Sequence, residues 1–145
     1  MSVGRAGFAL GMAGLLPPAG GVLLQLAGER DGALLVLSYA LVILSFLGGM
    51  WWGLAMQRPP ERQGAVLVAA VLPSLVALAI AVTGAWLGQM DLALLATGIC
   101  VLLTLPVDRE LTQCGDAPAN WMRLRVPLSV GLGVLAIVSG VLAST

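Results

Sequence analysis

The chain has 145 residues, 59% of them hydrophobic and 10% charged, with seven arginines against seven acidic side chains and neither lysine nor histidine. A soluble domain carries roughly 25% charged residues, so this composition and a mean hydropathy of +1.02 exclude a water-soluble fold and indicate an integral membrane protein. The lack of histidine removes the commonest metal ligand and general base, so haem, zinc or copper ligation is not expected.

Five apolar runs are long enough to be judged against the roughly 20 residues that cross about 30 Å of hydrocarbon. The first, Ala6 to Ala27, is interrupted by Pro17-Pro18. Arg5 ahead of it and the small residues Ala19, Gly20 and Gly21 imitate a secretory signal, but apolar sequence continues through Leu26, so it reads as one span broken in the middle. The second, Ala33 to Met56, carries no charge and gathers glycines and tryptophans at one end. Pro73 interrupts the third, Gly64 to Leu87. The fourth, Leu92 to Val107, is short; it either thins the bilayer, wedges between longer helices, or continues through Asp108 with that side chain snorkelling. The fifth is Val126 to Ala143. Backbone groups in lipid must be satisfied within the segment, and the runs lack a barrel strand's alternation. The expected fold is therefore all-α, a single polytopic five-helix transmembrane domain over residues 1–145.

With five spans, Arg5, Arg58, Arg62, Arg109, Arg123 and Arg125 fall on one side and Arg30 alone on the other. The positive-inside rule then places the N-terminus in the cytoplasm and the C-terminus outside, in a membrane taken to be the bacterial inner membrane. No Asp, Glu, Lys, Arg or His lies inside these limits, which argues against ion-coupled transport. The polar residues that do, Gln25, Ser38, Ser45, Ser74, Thr83, Thr97, Thr104, Ser129 and Ser139, are expected to bond to their own helix or a neighbour. Cys100 and Cys114 fall at different depths and do not suggest a disulfide.

Packing signals are plentiful. Gly7 and Gly11, Gly49 and Gly53, and Gly84 and Gly88 are GxxxG pairs, and Ala136 with Gly140 has the same spacing; such pairs let backbones approach closely where the hydrophobic effect cannot drive association. Each serves either internal packing or a partner protein. The prolines each remove a backbone hydrogen bond at membrane depth, giving a kink or, alternatively, a cavity near the midplane. Trp51, Trp52, Trp86 and Trp121 lie near span ends, where indoles anchor. Trp51 and Trp52 point about 100° apart on a helix, so one is free to line a ligand site. Ser45, Gly48, Gly49, Trp51, Trp52 and Gly53 thus form a candidate packing or ligand region. Asp108, Trp121, Arg123 and Arg125 form a candidate interfacial clamp or lipid-headgroup site, in which an Asp108–Arg125 pair would join the ends of spans four and five.

Three segments carry a family resemblance: Leu10-Gly-Met-Ala-Gly-Leu-Leu-Pro17; Tyr39 with Ser45-Phe-Leu-Gly-Gly-Met-Trp-Trp-Gly-Leu-Ala55; and Asp108 with Trp121-Met-Arg-Leu-Arg-Val-Pro-Leu128. They resemble the bacterial and mitochondrial family of unknown function that includes transmembrane protein 69. The resemblance implies a compact multi-span inner-membrane protein and no particular activity. Such sequences often have His where this chain has Trp51 and Tyr where it has Met122, so imidazole or phenol chemistry at those positions is absent here.

No nucleophile and base pair, metal set or phosphate loop can be assembled from these residues, and neither an enzyme nor a cofactor is expected. The expected function is that of a non-catalytic accessory or assembly subunit packing against other membrane proteins. The alternative is a binder or carrier of a lipid or quinone-like molecule. Expected partners are membrane lipids and another membrane protein or a second copy, not nucleic acid.

Overall fold

A computed structural model describes residues 2–144. Its helices are α1 (Arg5–Ala13), α2 (Leu16–Leu26), α3 (Asp31–Ala55), α4 (Gly64–Leu87), α5 (Met90–Leu103), α6 (Leu105–Gln113) and α7 (Trp121–Ala143), with a 3₁₀ turn at Pro60–Arg62. They combine into five helices long and apolar enough to cross a membrane: Arg5–Leu26, Asp31–Ala55, Gly64–Leu87, Met90–Gln113 and Trp121–Ala143.

Pro18 and Pro106 account for the two broken spans, whereas Pro73, expected to interrupt the third span, lies inside the continuous helix α4. Pro18 has no N–H to give to the Gly14 carbonyl, and the first span breaks there into α1 and α2. The freed carbonyl accepts the Tyr39 hydroxyl at 2.6 Å, as required of a backbone group in an apolar setting. Pro106 plays the same part between α5 and α6, which meet at Thr104. Glycines in the left-handed region, Gly28 and Gly88, close α2 and α4.

α3 is the central helix, packed against α2, α4, α5 and α7, while α5 and α7 form the most extensive pair. Small residues set these distances. A Cβ on Gly48 would lie 2.3 Å from the Ala70 carbonyl oxygen, and one on Gly98 would lie 2.7 Å from that of Gly133. The α3–α4 and α5–α7 backbones therefore touch, which gains dispersion and interhelical contact in place of a hydrophobic driving force.

Three apolar layers fill the bundle. Val36, Leu94 and Ala136 lie in one end layer, Ala40, Leu44, Val101 and Leu132 in a second, and Trp51, Ala55, Ala70 and Leu111 in a third. Large apolar side chains such as Leu10, Val42, Phe46, Leu72 and Trp86 point outward, the inverse of a soluble surface and the arrangement lipid requires.

Two limits read from the sequence need correction. The fourth span does not end at Val107 but runs through α6 to Gln113, and the fifth begins at Trp121 rather than Val126. Asp108 and Arg125 consequently lie inside spanning helices. Asp108 does not snorkel; it is fully buried, because Arg125 and two indoles meet it inside the bundle.

Candidate functional site

Asp108 organises the structure at the arginine-rich end. Its Oδ1 accepts the indole N–H of Trp51 at 3.0 Å and that of Trp121 at 3.2 Å. Its Oδ2 accepts Nε of Arg125 at 2.7 Å. Nη2 of Arg125 lies 3.4 Å from the Thr104 hydroxyl, which itself donates to the Val101 carbonyl at 2.6 Å. Helical spacing builds the group, since Thr104 and Asp108 on one chain segment, and Trp121 and Arg125 on α7, are each four residues apart and share a face. α3 supplies Trp51 from across the bundle. Arg125 is 5% exposed and Asp108 0%, so the pair is desolvated, held by charge-assisted bonds and electrically neutral as a unit.

This arrangement unites residues that the sequence presented as two regions, Trp51 from the α3 run and Asp108, Trp121 and Arg125 from the clamp. Arg123 is excluded from it. It immediately precedes Leu124 and Arg125, which face inward, and is itself exposed. The rest of the α3 region divides by helical face. Ser45 bonds the Ser74 hydroxyl at 2.9 Å and Gly48 abuts α4. Trp52 is 45% exposed where Trp51 is 3%. Gly49 and Gly53 are open, with no atom within 4 Å of a Cβ built on either. The participation of Thr104 and Trp51 was not read from the sequence; the Thr-x-x-x-Asp spacing was the available signal for the first, and none existed for the second.

Two recesses flank the cluster. One, of about 240 Å³, lies between α1, α3 and α7 and reaches Arg125 and Ser129. The other, of about 250 Å³, is almost wholly apolar and is bordered by Trp51, Pro73, Cys100 and Thr104. The first adjoins the break between α1 and α2 at Gly14 and Leu15, and the second adjoins Pro73 within the continuous helix α4.

A second ion pair ties the loops at this end together. Arg58 after α3 grips Asp116 after α6 through Nε at 3.0 Å and Nη2 at 2.5 Å. Asn120 exchanges two hydrogen bonds with the Val3 backbone, at 2.7 and 3.0 Å. The N-terminal segment and the α3–α4 and α6–α7 loops thus share one side of the bundle. The hydrogen bond from Arg58, aided by its charge and opposed by burial, holds the Asp116 carboxyl below the usual carboxylate range; the same bond raises Arg58. A depressed carboxylate stabilises the fold above its unfolded pKa, and that contribution is lost as pH falls through the folded value. Amide protection in the α6–α7 loop, the exchange rate relative to its intrinsic value at each pH, is therefore expected to stay constant from neutral pH down to about the ordinary aspartate value of ~3.9 and to fall only below it. Asp116→Asn should show faster exchange already at neutral pH.

Five bilayer-length helices around a buried charge cluster define a polytopic helical membrane protein. The chain belongs to the family of proteins of unknown function designated DUF3429, whose model matches residues 3–141. No curated protein and no solved structure matches it.

Proposed function

We propose that this protein is a non-catalytic accessory or assembly subunit of the bacterial inner membrane, docked against a helix of another membrane protein through Gly49 and Gly53 of α3. One observation carries the reading: this GxxxG pair has open space above both glycines. In the comparable pairs one glycine is used within the chain, Gly11 against Leu124 and Leu128, Gly84 against Ala93, and Gly140 against the Asp91 carbonyl. A helix laid on the open face could approach as closely as α4 approaches Gly48. Asp108 supports a non-catalytic role, because both its oxygens are already engaged by Trp51, Trp121 and Arg125. The arginine-rich side is the cytoplasmic side in this proposal, by the positive-inside rule, and the family assignment extends to transmembrane protein 69 through the three resembling segments.

Native mass spectrometry of gently extracted protein tests the docking. A stoichiometric protein partner should be present with the wild type and lost from a Gly49→Leu, Gly53→Leu double variant whose monomer remains folded. A partner of the protein's own mass would identify a homo-oligomer; retention of any partner by the double variant would sink the proposal. A second reading, binding of a lipid or quinone-like molecule, is favoured by the recess that reaches Ser129.

A further inference from the structure

Among the described residues, Ser129 Oγ is the buried side-chain nitrogen or oxygen without a hydrogen-bond partner, although the side chain is 1% exposed. The other buried hydroxyls among the described residues are satisfied. Thr97 and Thr104 bond their own helix, and Ser139 bonds Gln25. An unsatisfied hydroxyl in an apolar interior is costly, and Ser129 lines the 240 Å³ recess together with Gly14, Tyr39, Phe46, Arg125 and Leu132.

The chemistry of the recess restricts its occupant. Tyr39 already donates its proton to Gly14, Arg125 has donors only, and Ser129 has a donor to spare, so the group required is an acceptor. The Arg125 charge is balanced by Asp108 at 2.7 Å, so the acceptor should be uncharged. Ser129 lies ~12 Å along α7 from Trp121, at 1.5 Å per residue, well inside a hydrocarbon layer about 30 Å thick. A phospholipid keeps its charged headgroup at the surface, and its acyl chain offers nothing to Ser129 at that depth. Pockets for whole drug-sized ligands run ~300–1,000 Å³; this smaller one suits a ring-sized head whose tail continues into lipid past the exposed Phe46.

We propose that this recess binds the carbonyl-bearing ring of a prenyl-quinone-type molecule, with the Ser129 hydroxyl donating to a ring carbonyl and the tail leaving between α1 and α3. The inference rests on the ligand-binding reading and is independent of docking at Gly49 and Gly53.

The test reconstitutes the full chain in nanodiscs of one phospholipid, adds a decyl-tailed benzoquinone, and follows bound mass by native mass spectrometry beside thermal stability. Saturable binding of one quinone per protomer is expected, weakened ~3- to 10-fold in Ser129→Ala by loss of one hydrogen bond. The ligand-free variant should be as stable as the wild type or more so, since it loses an unsatisfied polar group; a serine with a merely structural role would destabilise on removal and leave quinone binding unchanged, which overturns the proposal. Retention of phospholipid alone would overturn the quinone assignment while leaving a lipid-binding reading standing. Absence of any bound amphiphile would overturn both.

Discussion

Asp108→Ala is expected to cost ~3–5 kcal/mol, the penalty for leaving one member of a buried ion pair without its counter-charge. The stranded group is Arg125, 5% exposed and, among the described residues, paired with no other carboxylate, while the indoles of Trp51 and Trp121 lose their common acceptor. Asp108→Asn should fall between wild type and alanine, because a carboxamide oxygen can still accept an indole but supplies no charge. The double replacement Asp108→Leu, Arg125→Leu should recover much of the loss, since a well-packed apolar pair often equals a buried salt bridge in stability. Recovery should be incomplete: the Trp51 N–H, in a side chain 3% exposed, would remain unpaired at about 1–3 kcal/mol. Thermal unfolding of the four proteins in one detergent measures the order. Equal stability of Asp108→Ala and wild type would show that the cluster does not hold α3, α6 and α7 together.

Gly48→Ala should produce the second large effect, at a site with no polar chemistry. The added Cβ would lie 2.3 Å from the Ala70 carbonyl oxygen, a backbone atom that cannot turn aside, so α4 must move off α3. Overpacking of this kind costs ~1–3 kcal/mol, and separation of the helices would also disturb the Ser45–Ser74 bond. The neighbouring Gly49→Ala provides the control. Its Cβ enters open space, and alanine is the better helix former by ~0.8–1.0 kcal/mol, so the isolated protomer should lose no stability. The same pair of variants separates the internal packing face of α3 from its proposed docking face: Gly48→Ala should lower protomer stability, and substitution at Gly49 should alter association.

The α3 run shows how far periodicity can be followed. Its glycines and tryptophans were legible as a packing region, but Gly48 and Gly49, or Trp51 and Trp52, are adjacent in sequence and about 100° apart on the helix. Which of each pair faces inward depends on where α4 and α6 lie, and the sequence of α3 alone contains no such information. Ser129 illustrates the same limit. It was one hydroxyl among several expected to bond locally, and only the fold places it beside a recess without a partner.

Taken alone, the sequence determined the membrane class, five spans with six of seven arginines grouped on one side, the break at Pro17-Pro18, and the pairing of Asp108 with Arg125 as a possibility of spacing. These are matters of composition, length and missing N–H groups, all local properties. Tertiary structure alone decided that the fourth span continues to Gln113 with Asp108 buried. A carboxylate is stable at that depth only when charge and hydrogen-bond donors converge on it, and here the donors come from α3 and α7, distant segments that meet Asp108 only once the bundle has assembled.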